Sequence, residues 1–145
     1  MSKSEDFLTD TEEQAVIAAI KDAEKNTSGE IRVHIEESTD KPPMDRALEV
    51  FYLLEMDHTE QRNGVLIYIA VESKKLAILG DEGINNLVDD DFWDTAKELM
   101  LSKFEKREFS NGLELAIIEV GKKLKDFFPY QSNDTNELSD EISKG

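Results

Sequence analysis

Gly64-Val65-Leu66-Ile67-Tyr68-Ile69-Ala70-Val71 is almost wholly apolar. A short unbroken apolar run of this kind reads as a central strand covered on both faces. The polar turn Glu72-Ser73-Lys74-Lys75 follows, and then Leu76-Ala77-Ile78-Leu79. So short a connection makes the pair an antiparallel hairpin. On the amino-terminal side, Glu30-Ile31-Arg32-Val33-His34-Ile35-Glu36 alternates polar and apolar residues, the period of a half-buried strand. Between these strands Pro43 suits a first helical turn, and Met44, Ala47, Leu48, Phe51 and Leu54 form an apolar stripe. A helix connecting two strands of one sheet makes a crossover, so these strands are expected to be parallel and right-handed.

Further outward, Thr9-Asp10-Thr11-Glu12-Glu13 carries a capping residue and an acidic first turn. Val16, Ile17, Ile20 and Ala23 continue it at helical spacing, and Lys25 to Gly29 stops it. A third helix is expected from about Asp91, with Phe92, Trp93, Ala96, Leu99, Met100 and Phe104 inward. A fourth opens at Ser110-Asn111-Gly112 and is closed by Pro129. Helices and strands in this order predict an α/β fold, a three-layer α/β/α sandwich with a small mixed β-sheet. Residues 1–8 are expected to be a flexible N-terminus, 9–130 the folded domain, and 131–145 a disordered acidic tail with only Leu138 and Ile142 as isolated large apolar residues.

The 145 residues carry 17 Lys and Arg against 33 Asp and Glu, a formal net charge of −16. Phosphate backbones and anionic membrane surfaces are repelled by such a chain, so no nucleic-acid partner is expected. Without cysteine there are no disulfides, thiol catalysis or cysteine-held metals. His34 and His58 are the only imidazoles, too few for a multi-histidine zinc or copper site. No segment is apolar for long enough to span a membrane, and the first residues lack an apolar signal core, so a cytoplasmic monomer is expected.

The hairpin and the parallel pair place Glu30, Asn63 and Asp81 on one rim of the sheet. The stretch Asp81 to Asp91 leaves from that rim with Asp81, Glu82, Asp89, Asp90 and Asp91, and with Asn85 and Asn86. Carboxylate and amide oxygens in a loop are what a hard cation, Ca2+ or Mg2+, requires. The candidate ligands are therefore Asp81, Asp89 and Asp90, with Asp91, Glu30 and Asn63 beside them. Asp89-Asp90-Asp91 can equally serve as a helix cap. The EF-hand spacing, the glycine-rich phosphate loops and Gly-x-Ser-x-Gly are all absent. His34, on the polar side of its strand, suits a hydrogen bond better than catalysis. Arg62 suits an ion pair, or contact with an anion.

Ser28-Gly29-Glu30-Ile31, Arg62-Asn63-Gly64-Val65-Leu66 and Gly80-Asp81-Glu82-Gly83-Ile84, followed by Phe92-Trp93, Gly112-Leu113 and Phe128-Pro129, resemble the TPM-domain family in order and spacing over about residues 9 to 130. The resemblance implies an α/β/α sandwich with a divalent-cation site, usually calcium, in the acidic loop. It also implies a possible acid phosphatase acting on phosphomonoesters, an activity attributed to some plant members. Many bacterial members carry an export signal and a membrane helix; from these residues neither is expected here. Many read Gly-x-Gly where this one has Gly80-Asp81-Glu82-Gly83. The expected function is divalent-cation binding. The alternatives are a metal-dependent phosphatase using the same site, with the metal activating water, and an acidic domain that recruits a basic protein partner.

Overall fold

The computed structural model describes residues 7–89, 91–130 and 138–145. Among them are a four-stranded mixed sheet, five helices and one 3-10 turn. In chain order these are α1 (Asp10–Glu24), β1 (Glu30–Glu36), α2 (Pro43–Leu53), the turn Met56–His58, β2 (Gly64–Ala70), β3 (Lys75–Gly80), α3 (Glu82–Asn85), α4 (Asp94–Glu105), α5 (Phe109–Phe127) and β4 (Ser143–Lys144). The strand order is β3-β2-β1-β4. β1 and β2 run parallel, with Ile31 opposite Val65, and β2 and β3 are antiparallel, with Val65 opposite Gly80.

Strand parity divides the core into two. Ile31, Val33 and Ile35 of β1 and Val65, Ile67 and Ile69 of β2 pack beneath α1, α4 and α5. Leu66, Tyr68 and Ala70, on the opposite parity, pack with Ala77 beneath Ala47, Val50 and Phe51 of α2. Two helical layers thus enclose the sheet, as the order of helices and strands and the unbroken apolar run of β2 predict. Thr9 caps α1 through a capping box with Glu12, and Pro43 stands in the first turn of α2.

Four local readings differ from expectation. Phe7 and Leu8 are not part of a loose leader: Leu8 is buried, and Phe7 packs against Phe104 and Phe109. β1 is buried on both faces, because its polar side meets partners from two directions: Arg46 of α2 on Glu36, and residues 138–145 on Glu30 and His34. α4 begins at Asp94, with Trp93 as N-cap and no side-chain cap. Finally, residues 138–145 are ordered against the sheet, although 131–145 reads as a disordered tail. Leu138 packs against the α2-side core and Ile142 against the other. β4 pairs in parallel with His34 and Ile35, so two anchoring apolar side chains and main-chain pairing suffice where composition alone predicts disorder. Residues 131–137 of that tail lie outside the described residues.

Candidate functional site

The start of β1, the start of β2 and the end of β3 meet at one rim. The Glu30 amide donates to the Asn63 carbonyl (3.3 Å), and the Asp81 amide to the Gly64 carbonyl (2.9 Å). Glu30, Asn63 and Asp81 are all buried there. Each already has a partner. The Asn63 side-chain amide donates to the Ser28 carbonyl (3.2 Å), and a Glu30 carboxylate oxygen accepts from the Leu138 amide (2.6 Å). Asp81 is held in a fork by Arg62, whose Nε and Nη2 lie 2.8 and 2.9 Å from its two oxygens. That pairing raises the Arg62 pKa, with further support from Glu82.

Local backbone geometry makes the fork possible. Arg62 has φ of 52°, a left-handed conformation uncommon outside glycine. Asp81 also caps α3 by accepting from the Glu82 amide (2.7 Å). Gly83 donates its amide to the Arg62 carbonyl (2.9 Å). A Cβ on Gly83 would lie 2.5 Å from that oxygen and closer still to the Gln61 carbonyl, so the short helix can approach only as glycine. The Gly80-to-Gly83 stretch is thus a helix cap bolted to an arginine.

The remaining acids stand apart from this rim. Asp89 and Asp91 are exposed. Their carbonyls accept from the Phe92 and Asp94 amides, both at 3.1 Å. Neither carboxylate caps a helix, and neither has a side-chain partner among the described residues. Asp90 lies outside the described residues. No group of three or more His, Asp or Glu side chains among the described residues is arranged to hold a metal ion. The rim trio therefore does not fit a resident cation, since Arg62 already neutralises its central carboxylate. Asp89 and Asp91 fit one by donor type, as open carboxylates.

A second polar cluster lies under α2. Glu36 accepts from Arg46 Nε (2.9 Å) and Nη2 (3.0 Å) and from the Tyr68 hydroxyl, and pairs with His34 Nε2 (3.0 Å). Burial alone would raise its pKa, but the bonds from Arg46, Tyr68 and His34 outweigh this and hold the carboxyl at about 2. Burial lowers the His34 pKa, against the pull of Glu36. Burial and the bond to Glu36 raise that of Tyr68. His34 Nδ1 lies 3.0 Å from Ser143 Oγ. The Ser143–His34–Glu36 chain has the connectivity of a hydrolytic triad, but His34 is only 5% exposed and Glu36 is saturated by Arg46 and Tyr68. The cluster ties β1, β2, α2 and β4 together. Register offers the signal that could have found it: residues 30, 32, 34 and 36 share one face of a strand, and His34 lies opposite Tyr68.

A model of the TPM domain matches residues 1–126. No curated protein matches the chain. The NMR structure of BA42 protein from the psychrophilic bacterium Bizionia argentinensis is similar at a TM-score of 0.90 and 50% identity, over 96% of this chain and 96% of that one. The N-terminal domain of a protein from P. gingivalis matches at a TM-score of 0.69 and 16% identity, over 84% of this chain and 79% of that one. The N-terminal domain of cg2496 protein from Corynebacterium glutamicum matches at 0.63 and 15%, over 95% and 80%. At these low identities the last two show the fold alone.

Proposed function

The chain belongs to the TPM-domain family, and from that premise we propose that it is a divalent-cation-binding α/β domain whose ligands are the open carboxylates between α3 and α4. One observation carries the reading: Asp89 and Asp91 are exposed and unpartnered among the described residues, while Asp81 is committed to Arg62. Oxygen donors of this kind suit Ca2+ or Mg2+, with water completing the coordination shell. Asp89 and Asp91 would hold the ion, together with neighbouring Asp90. When bound, the cation supplies positive charge that relieves repulsion among these acids. Arg62 does the corresponding work at the rim, holding Asp81 so that α3 is capped and the loop leaves the sheet at a fixed place.

Calcium titration of the isotope-labelled chain at constant ionic strength tests the reading. Amides from Val88 to Asp94 should shift saturably, and the double variant Asp89→Asn, Asp91→Asn should lose the response. Asp81→Asn should keep it. Loss of binding in Asp81→Asn alone would place the ion at the rim instead, in competition with Arg62. The metal-dependent phosphatase alternative would use the same carboxylates between α3 and α4, with the metal activating water; the Ser143–His34–Glu36 chain is a buried structural tie and plays no part in it. No helix among the described residues is long and apolar enough to cross a membrane.

A further inference from the structure

The outer edge of β1 is covered by residues 138–145, and the fit is poor in a specific way. Asp140 is brought against Glu24 at the end of α1, with Glu30 close by. Burial and the facing Asp140 carboxyl push Glu24 up to about 9, so the contact sets one acid against another. Two side-chain polar atoms among the described residues are buried without a partner, and both belong to this seam: Asp140 Oδ1 and Arg32 Nε. An orphaned buried polar atom costs stability that a better-matched occupant would recover. The main-chain side of the seam is sound. β4 pairs with His34 and Ile35, the Gly145 amide donates to the Ile35 carbonyl (2.9 Å), and Leu138 and Ile142 anchor opposite core faces.

Strand addition to a sheet edge takes its affinity from main-chain pairing and its specificity from side-chain fit, and here the pairing is good while the side-chain charge is mismatched. We propose that the outer edge of β1 is a strand-acceptor site, occupied in cis by residues 138–145, that takes a basic extended peptide from a partner protein in their place. The chemistry of the partner follows position by position. A lysine or arginine where Asp140 stands would meet Glu24 and Glu30 and replace acid against acid with a charge-assisted pair. An acid where Glu141 stands complements Arg32, whose pKa is lowered by burial and raised by Glu141. An apolar residue at the place of Ile142 fills the core notch, and a hydroxyl at that of Ser143 meets His34. The proposal is independent of the cation reading, since it uses none of Asp81, Asp89 or Asp91.

The test uses the full chain, isotope-labelled, and three synthetic peptides: residues 138–145 as they stand, the same with lysine in place of Asp140, and a scrambled form of the lysine peptide. A tethered segment resists displacement with an effective concentration in roughly the millimolar range. The lysine peptide should displace it at about tenfold lower concentration than the native-sequence peptide, the gain from one charge-assisted pair. Displacement is read as loss of exchange protection at the Gly145 amide together with shifts at Ile31, His34 and Ile35. In cis, Asp140→Lys should increase that protection and weaken lysine-peptide binding, and the advantage should shrink with added salt. Equal binding by the scrambled peptide would overturn the proposal in favour of general attraction to an acidic surface. Equal displacement by the native-sequence peptide would overturn it in favour of exchange between copies of the chain. Loosening of the segment by Asp140→Lys would overturn it outright.

Discussion

Replacing Glu36 by glutamine removes one negative charge from a carboxylate that three side chains address through four bonds. Glutamine keeps the shape, and its oxygen in place of Oε2 still accepts from the Tyr68 hydroxyl and Arg46 Nε, but an amide nitrogen in place of Oε1 cannot accept from Arg46 Nη2 and the ion pair is lost. The carboxyl sits at about 2 against an ordinary 4.5. At ~1.36 kcal/mol per pH unit, that displacement corresponds to roughly 3 kcal/mol of folding stability near neutral pH. The Arg46 side chain is 28% exposed, and solvent screening trims the expected loss to about 2 kcal/mol. For a chain of this length that lowers the melting temperature by about 6 °C. The sign with pH is fixed by the direction of displacement. A carboxyl more acidic in the folded state contributes in full above about 4.5 and loses its contribution as pH falls toward about 2. Urea unfolding of wild type and Glu36→Gln from neutral pH down to about 2 should therefore show two curves that converge, with more than half of the gap gone by about pH 3. A gap under ~0.5 kcal/mol near neutral pH, or one that stays constant across the range, would refute the assignment of Glu36 as the hub of this cluster.

Asp81→Asn should lower the metal-free melting temperature by a few degrees, because it breaks the fork with Arg62. Like-charge crowding in the acidic stretch would instead raise it, and calorimetry distinguishes the two by sign. Gly83→Ala should cost about 1–3 kcal/mol in denaturant unfolding, as the methyl group meets two carbonyl oxygens. An unchanged midpoint would mean that α3 can move off the Arg62 backbone. Thr9→Ala should cost about 1 kcal/mol by the same assay. Adding Glu12→Ala should cost less than the separate losses summed, because the two side chains form one capping box.

The sheet was legible because its signals are local. The apolar run from Gly64, the alternation from Glu30 and the short turn before Leu76 each set an element, and chain connectivity set the β1-β2-β3 order. Convergence of Glu30, Asn63 and Asp81 followed from that order. What each of these side chains does there was not legible. The fork depends on a left-handed φ at Arg62, which no propensity predicts for arginine. Asp89 and Asp91 resemble a helix cap in sequence, yet α4 starts three residues beyond Asp91 because Phe92 and Trp93 enter the core side first. Tyr68 reads as one more apolar member of its run, and only the register opposite His34 exposes its hydroxyl as a partner for Glu36. β4 was invisible for a related reason: its pairing joins residues 109 apart, and a short polar segment carries no record of the edge it meets.

The two-residue strand has a further consequence, for pairing between molecules. β1 is a seven-residue strand with isoleucine, valine and isoleucine on one face. An uncovered edge of that composition offers a row of N–H and C=O groups to any other chain, the geometry from which intermolecular sheets grow. β4 closes part of that row, and Lys144 sets a charge at its outer margin, paired with Glu13 of α1. The opposite edge is guarded by other means. β3 begins at the Lys74-Lys75 turn, and Lys75 reaches back to the Thr39 and Lys41 carbonyls. With a net charge of −16 adding repulsion between molecules, the sheet resists edge-to-edge pairing because residues 138–145 close one margin and charge stands at both.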